Sequence, residues 1–216
     1  MRETTTKEQI FKRIRNANMN TAENTFADVD LKSDIYPKID DELEVVFAEE
    51  LNKVGGHFVY CIDSKELIEN LQRLIVGQKW EKVFTKHPKI KEILNSIGIK
   101  SHSATSNMSE IKVSITTCEA LVARTGSVLI SSKQNSGRRL NFIPDTHVVI
   151  ANREQIKANI KDALKSIQSN YDGVLPSMTT LITGPSRTAD IEKTLVMGAH
   201  GPRSLIVFLT EDDLLK

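Results

Sequence analysis

The chain has 216 residues, which is enough for one sizeable domain and a short additional segment. Its 29 basic and 28 acidic residues leave a formal net charge of +1, and this balance gives no electrostatic argument for nucleic acid or an anionic membrane as a partner. The longest apolar runs are strand-sized, and no apolar segment follows Met1. We therefore expect a cytoplasmic protein without membrane insertion.

The cysteines and histidines predict no metal site. Cys61 and Cys118 lie far apart and form no CxxC pattern, so neither zinc nor an iron–sulfur cluster is expected in this chain. Both are expected to be buried thiols in a reducing compartment. The histidines show no HExxH or HxH spacing, and only His200, beside a Gly-Pro pair, is retained as a candidate site residue.

Residues 1–39 differ in pattern from the rest of the chain. Thr6 and Gln9 form a capping-box pattern ahead of an apolar helical face, which consists of Ile10, Phe11 and Ile14. The polar stretch 20–34 has no sustained period, and we interpret it as an extended arm that packs on the domain or a partner, or as a loosely ordered terminus. Residues 40–216 are predicted to form the main domain.

Helical and strand patterns alternate from residue 40 onwards. In the first part, helices are predicted over Leu43–Val54, after a cap at Ser64, and over Pro88–Ile97, with a strand at His57–Ile62. In the second part, a strand precedes Cys118–Ala123, which is predicted to be helical or irregular. Four further strands are predicted at Ser127–Ser131, His147–Ala151, Thr179–Thr183 and Ser204–Leu209. Two further helices are predicted, one capped by Asn152 and Gln155 and ending near Gln168, and one over Ser186–Met197.

Several of these strands are continuously apolar, as in the run Ser204–Leu209, and do not alternate with polar residues. Strands of this kind are buried on both faces, which is typical of parallel sheets covered by helices. The alternation of strands and helices therefore predicts an α/β domain with a mostly parallel sheet flanked by helices.

One strand–helix junction, Thr183–Thr188, carries the main candidate site. In open α/β sheets, ligands bind beyond the carboxyl ends of strands, where loops lead into helices. Gly184 would allow close backbone approach, Ser186 would cap the helix, and Arg187 would clamp a carboxylate or phosphate at the helix N-terminus. In the alternative interpretation, Ser186 only caps the helix, and Arg187 pairs with an acidic residue of the next turn, Asp190 or Glu192.

A second polar and basic loop, Ser131–Arg139, also follows a predicted strand and could close over the same anion; the alternative is a solvated loop. No phosphate-binding P-loop and no GxGxxG pattern is present. Glu119 is the one candidate catalytic carboxylate, and the alternative is a surface or helix-capping role. Cys118 beside it does not form a nucleophile–base pair, since adjacent residues of regular structure point in different directions.

The segment Thr183–Leu209, which reads TGPSRTADIEKTLVMGAHGPRSLIVFL, resembles the C-terminal signature of the LUD-domain family of the lactate-utilisation protein C type. Two further segments, Ala123–Val128 and Pro144–Ile150, match family elements in the same order. Many members have a glutamate directly before the Thr-Gly pair, whereas this chain has Arg124. The substitution adds a positive side chain beside the expected site, which favours an anionic ligand.

The resemblance implies a Rossmann-like α/β fold similar to that of sugar-phosphate isomerases and CoA transferases. It also implies a part in the oxidation of L-lactate to pyruvate, as an accessory subunit of a complex with two partner subunits, which are iron–sulfur and oxidoreductase subunits and carry the iron–sulfur clusters. The expected anion contacts belong to the junction, to the facing turn and to one histidine; they are Thr183, Gly184, Ser186, Arg187 and Thr188, then Arg124, Thr125 and Gly126, and finally His200. Two alternatives stay open: a free-standing transferase or isomerase acting on a CoA ester or sugar phosphate through Glu119, and a structural subunit without a ligand.

Overall fold

The computed structural model describes residues 5–19, 30, 35–103, 107, 110–188 and 196–214. The chain divides into two units, residues 1–38 and residues 39–216. Within the described residues, the helices are α1 Thr6–Met19, α2 Leu43–Lys53, α3 Ser64–Gly77, α4 Pro88–Ser96 and α5 Ile160–Asn170. The strands are β1 His57–Cys61, β2 Val83–Phe84, β3 Ser101–His102, β4 Val113–Thr117, β5 Ala120–Val122, β6 Ser127–Ser131, β7 Thr146–Asn152, β8 Ile156–Lys157, β9 Thr179–Ile182, β10 Arg187–Thr188, β11 Val196–Met197 and β12 Ser204–Thr210.

The first unit contains α1, whose cap differs by one residue from the sequence prediction. Thr5, and not Thr6, accepts a hydrogen bond from the Glu8 amide, and the Glu8 carboxylate accepts one from the Thr5 amide. The predicted apolar face of α1 is about half exposed; it consists of Ile10, Phe11 and Ile14. Apart from Asp30, the arm predicted over residues 20–34 lies outside the described residues.

A six-stranded parallel sheet forms the centre of the second unit, in the order β1-β12-β7-β4-β2-β3. Its two longest strands, β7 and β12, pair along seven positions from Thr146↔Ser204 to Asn152↔Thr210. Every residue of these two strands between their end positions is buried, because helices or a second sheet cover both faces. The predicted α/β fold with a mostly parallel sheet is therefore confirmed.

Different elements cover the two faces of the parallel sheet. On one face, α3 and α4 contribute Leu67, Leu71 and Ile90 to a core with Ile115 and Phe208. On the other face, α2 and a second sheet form a core with the alternate strand residues; it includes Phe47, Leu51, Val128, Val207 and Leu209. The outer helix α5 packs on the far side of the second sheet.

The second sheet is four-stranded and mixed, in the order β8-β5-β6-β9, with β6 antiparallel to both β5 and β9. The segment Cys118–Ala123 was predicted to be helical or irregular, and this prediction is wrong for Ala120–Val122. These apolar residues are fully buried between two strands, where pairing with Ser127–Leu129 satisfies their backbone groups. A single 3₁₀ turn, Ala123–Thr125, connects β5 to β6.

Two predicted helix starts also need correction. The cap of α3 is Asp63, whose carboxylate accepts a hydrogen bond from the Glu66 amide, whereas Ser64 already belongs to the helix. The capping box of Asn152 and Gln155 exists, but it closes only a 3₁₀ turn before β8. Since β8 pairs with β5, the backbone must stay extended there, and α5 begins later, at Ile160.

The helix predicted over Ser186–Met197 is wrong at both of its described ends. Arg187–Thr188 and Val196–Met197 pair as the antiparallel strands β10 and β11, and residues 189–195 lie outside the described residues. The Gly198 amide donates to the Ser186 carbonyl and continues the ladder. Among the described residues, the Gly-Pro pair is thus followed by a strand and not by a helix N-terminus.

Gly126 and Gly184 hold two turns against the C-terminal end of α2. Both have a positive φ, +56° and +75° respectively. A Cβ on Gly126 would overlap the backbone of Leu51, and one on Gly184 would overlap the carbonyl oxygen of Val54. The fold therefore needs glycine at these positions for two reasons, the left-handed backbone and the close approach of another segment.

We expect Gly126→Ala to lower the free energy of unfolding by at least about 2 kcal/mol, since it adds overpacking to a strained φ. Urea denaturation measures this loss. Gly137→Ala is the matched control, because Gly137 has a similar φ of +60° but open space around its Cα. An equal loss in both variants would contradict a packing role for Gly126.

His147 is a fully buried histidine on β7. Its Nε2 lies 2.8 Å from the Thr116 hydroxyl, and within the described part of the chain its Nδ1 has no hydrogen-bond partner. Burial disfavours the charged imidazolium and lowers the pKa of His147 to about 3. The folded protein therefore keeps this side chain neutral at pH values where the unfolded chain binds a proton.

Because the folded pKa lies below the unfolded value, His147 destabilises the fold as the pH falls below about 6.5. The expected slope is roughly 1.4 kcal/mol per pH unit down to about pH 3. Urea denaturation of the native protein and of His147→Gln between pH 7 and pH 5 measures it. The variant should be less stable at pH 7, but its free energy of unfolding should depend less on pH. If the free energies of unfolding of the two proteins change equally with pH, His147 is not the cause of the pH dependence.

Candidate functional site

The carboxyl ends of four parallel strands open into one cavity of about 460 Å³. Its lining residues lie at or after the ends of β2, β4, β7 and β12, on β8 or on α5; they are His87, Thr117, Cys118, Glu119, Asn152, Glu154, Gln155, Lys157, Ser166, Asn170 and Asp213. We call this space the carboxyl-edge cavity. Open α/β sheets bind their ligands beyond the carboxyl ends of the strands, so its position is the one expected of a functional site.

Glu119 is an acidic side chain of the cavity that two hydroxyl groups hold in place. Its Oε1 accepts two hydrogen bonds, from the Ser131 hydroxyl at 2.5 Å and from the Tyr171 hydroxyl at 2.8 Å. Burial, followed by the hydrogen bond to Glu119, raises the pKa of Tyr171, so that this hydroxyl stays a donor at neutral pH. Among the described residues, no group hydrogen-bonds to Oε2, which leaves this oxygen as an acceptor at the cavity wall.

Cys118 and Gln155 also line the cavity, and hydrogen bonds of the Gln155 side chain connect two of its loops. Burial and the neighbouring Glu119 carboxylate raise the pKa of the Cys118 thiol far above its usual range, so the sulfur stays protonated and is a poor nucleophile. The Gln155 amide donates to the Cys118 carbonyl at 2.5 Å, while its oxygen accepts from the Asn152 amide at 3.0 Å. These bonds fix the loops after β4 and β7 relative to each other.

His87 and Lys157 are the basic groups of the lining. Burial lowers the pKa of His87, and in the described part of the chain its buried Nδ1 has no partner. Lys157 donates to the backbone carbonyl of Glu154 at 2.7 Å. Among the residues that the structure describes, no group of three or more histidine, cysteine or acidic residues is placed to hold a metal ion.

The junction Thr183–Thr188 lies at the opposite edge of the parallel sheet. Its Ser186 amide donates to the carbonyl of Pro202, just before β12, and Arg187 donates through Nη2 to the carbonyl of Val54, just before β1, at 2.6 Å. The expectation that this junction lies beyond the carboxyl ends of the parallel strands is therefore wrong. The preceding strand, β9, belongs to the second sheet and not to the parallel one.

The structure does bring together the two turns that were expected to face each other. The hydroxyl of Ser127 lies 2.8 Å from that of Thr125 and 2.8 Å from that of Thr183, which joins the turn after β5 to the end of β9. Gly126 and Gly184 lie next to this hydroxyl chain, against α2. These contacts account for the signature residues as structural connections. That they also bind an anion stays a prediction.

The structure also describes three other predicted site features. Arg124 donates through Nε to Asn159, the residue before α5, at 2.7 Å, and His200 is exposed in the turn before β12. The loop Ser131–Arg139 leaves β6 where Thr179 begins β9, because the two strands are antiparallel with Ser131 opposite Thr179. The loop and the junction therefore lie at opposite ends of the second sheet and cannot close over one anion.

Sequence reasoning identified Glu119 but missed the residues that make it a site. Tyr171 lies in the turn after α5, His87 and Asp213 come from two other loops, and Asn152 is the last residue of β7. The usable signal was the polar residue directly after each buried strand, as in Asn152 after the apolar run of β7. Which of these loops converge depends on the strand order, which no local pattern contains.

The fold and the cavity define the class of this protein, which is an α/β domain with a parallel sheet and a polar cavity at the carboxyl edge of that sheet. The sequence model described as LUD domain matches residues 44–210. The chain therefore belongs to the LUD-domain family, as the signature in its second half indicated. No helix in the described part of the chain is both long and apolar enough to cross a membrane.

Named relatives agree with this family, and a solved structure agrees with the fold. The chain is 36% identical over 105 residues to Lactate utilization protein C of Bacillus subtilis and 32% identical over 105 residues to that of Geobacillus thermodenitrificans. Each alignment covers 48% of this chain and 44% of the relative, so the match spans less than half of the length of these relatives. The crystal structure of a DUF162 family protein from Deinococcus radiodurans is similar in fold, with a TM-score of 0.61 and 17% identity over 81% of this chain and 99% of that chain.

We expect Arg187→Ala to lower the free energy of unfolding by about 1 kcal/mol, because it removes the hydrogen bond to the Val54 carbonyl from an exposed side chain. Urea denaturation is the measurement. Arg73→Ala, which removes an exposed pair with Glu69 at 3.6 Å, should change stability much less. An unchanged stability of Arg187→Ala would deny the structural role and favour an anion-binding one.

Proposed function

We propose that this chain serves lactate utilisation as a LUD-domain subunit that binds a small polar ligand in the carboxyl-edge cavity. The observation that carries the ligand proposal is Glu119, held on one oxygen by Ser131 and Tyr171 and unpartnered within the described residues on the other. A carboxylate oriented by two hydroxyls costs little reorganisation when a ligand arrives, which is the usual property of a binding or catalytic group.

The role in lactate utilisation rests on the family and on the names of the relatives. Several relatives that are 32–36% identical over about half of this chain are named Lactate utilization protein C. Sequence similarity of this kind supports a shared process more than a shared ligand, since function resides in the site and not in the fold. The proposal for this chain therefore rests more firmly on the process, lactate utilisation, than on the ligand.

Partner subunits are part of this proposal. Iron–sulfur clusters are bound by cysteine thiolates, usually four of them. This chain has Cys61 and Cys118 in two separate core clusters, and burial raises the pKa of both thiols. We therefore assign the electron relay to partner subunits, and a tagged chain purified from cells grown on L-lactate should retain iron–sulfur proteins.

A free-standing enzyme is the second candidate function, and the position of Glu119 favours it as well. In a transferase or isomerase acting on a CoA ester or sugar phosphate, Oε2 of this carboxylate would act as the nucleophile or general base at the cavity wall. Tyr171 and Ser131 would then orient the reacting oxygen. Turnover by the purified chain without partners, lost in Glu119→Gln, would distinguish this function from a binding subunit.

We expect deletion of the gene in its host to abolish growth on L-lactate while growth on glucose continues. The unaltered gene should restore growth, and Glu119→Gln should not, because the amide removes the charged acceptor. Glu69→Gln, which changes an exposed acid on α3, should restore growth fully and serves as the matched control. Growth rate on each carbon source and the amount of soluble protein are the measurements.

Three results would revise the proposal in different ways. Normal growth of the deletion strain on L-lactate would refute a role of this chain in lactate utilisation. Full complementation by Glu119→Gln would keep the process and refute the role of the cavity. If Arg187→Ala is stably folded and fails to complement whereas Glu119→Gln succeeds, the ligand site belongs at the junction Thr183–Thr188.

A further inference from the structure

We infer that the carboxyl-edge cavity selects a ligand that presents ammonium or hydroxyl groups and no net negative charge. The inference rests on the proposed function, namely that this cavity binds a small molecule, and adds the chemical class. It differs from the anionic ligand expected at the junction. It also means that lactate and pyruvate, which are carboxylates, are not the ligands of this cavity, and that the CoA esters and sugar phosphates of the second candidate function, which are anions, are excluded from it.

The charge of the lining is the first argument. Three carboxylates line the cavity, from Glu119, Glu154 and Asp213, against a single ammonium, from Lys157. No arginine is among the lining residues that the structure describes, although arginine is the usual partner of bound carboxylates and phosphates. An anionic ligand would therefore enter a space of its own sign.

The two basic groups do not reverse this balance. The Lys157 ammonium already donates to a backbone carbonyl in the same loop, at 2.7 Å, which holds it beside Glu154. Burial lowers the pKa of His87, so its imidazole is neutral at pH 7 and adds no positive charge. The cavity thus carries a net negative charge at pH 7.

The geometry of Glu119 is the second argument. Both hydroxyl donors within reach bind Oε1, so a ligand meets Oε2 as a pure acceptor. A ligand carboxylate there would put two like charges in contact in a partly buried space, which is unfavourable. An ammonium or hydroxyl group donates to Oε2 and completes the coordination of the carboxylate.

The remaining lining suits a small polyhydroxy or amino-alcohol compound. Thr117 offers a hydroxyl that accepts from Gln134 at 3.4 Å, and Ser166 and Asn170 add polar groups from α5. A volume of about 460 Å³ is within the range of small-molecule sites. Short-chain polyols and their amines fit the volume, and their hydroxyl and ammonium groups can donate hydrogen bonds to the acceptors of the cavity wall.

A set of probes with one carbon skeleton tests the charge alone. D-Glucamine is a cation, D-glucitol is neutral and D-gluconate is an anion, and each can be titrated into the full chain at constant ionic strength. Amide chemical shifts of Thr117, Glu119 and Asn152 report on the cavity. We expect saturable shifts with glucamine and glucitol, and an affinity for glucamine at least tenfold higher than for gluconate.

Variants assign the effect to the carboxylate. Glu119→Gln should lower the affinity for glucamine at least tenfold and reduce the difference in affinity between glucamine and glucitol. Glu69→Gln should bind glucamine and glucitol with the affinities of the unaltered chain. If Glu119→Gln does not fold, as judged by its amide spectrum, Asp213→Asn at the exposed rim replaces it. That variant should lower the affinity for glucamine and leave the affinity for glucitol unchanged.

The outcomes separate the inference from the proposed function. If gluconate or lactate shifts the same amides with equal or higher affinity than glucamine, the cavity binds ligands and the inferred class is wrong. If none of the probes shifts these amides, the cavity is not a site for small polar molecules, and both the inferred class and the cavity proposal are overturned. Equal affinity of glucamine in Glu119→Gln would also overturn the inferred role of this carboxylate.

Discussion

The short link between the two sheets is the constraint on which the site depends. Strand β4 ends at Thr117 and β5 begins at Ala120, so only Cys118 and Glu119 connect the parallel sheet to the second sheet. The chain must leave the parallel sheet at its carboxyl edge and enter the other sheet at once. Glu119 is therefore held at the cavity wall by the connection itself, and buried Ser131 on β6 binds it from the neighbouring strand.

The family signature has a physical explanation that differs from ligand binding. Gly126 and Gly184 bring two turns into contact with the end of α2, and Arg187 binds the Val54 carbonyl that ends that helix. These contacts join α2, the second sheet and the start of β1 at the amino edge of the parallel strands. A signature can thus identify a family through the residues that its fold requires, while the polar groups of the cavity come from loops with little local pattern.

The two edges of the parallel sheet have different roles as a result. At the amino edge, turns and backbone contacts connect the two sheets, and the bond from the Ser186 amide to the Pro202 carbonyl is one of these contacts. A second cavity, of about 520 Å³, also lies beside the first residues of β1, β7 and β12. The cavity at the carboxyl edge is lined by charged and amide side chains, among them Glu119, Asn152 and Asp213. This division is usual in open α/β sheets, where the strand ends that face the helix N-termini and loops provide the ligand site.

The sequence by itself determined the α/β class, the family and most buried strands, because apolar periodicity and short motifs are local properties. It also indicated Glu119, which lies directly after a strand. The hairpin of Arg187–Thr188 with Val196–Met197 and the strand Ala120–Val122 were decided by the tertiary structure, since strand pairing, which for Ala120–Val122 includes the distant strand β8, outweighs local helix propensity. The position of the site was decided in the same way: strand order and direction determine which loops meet, and neither is contained in a local pattern.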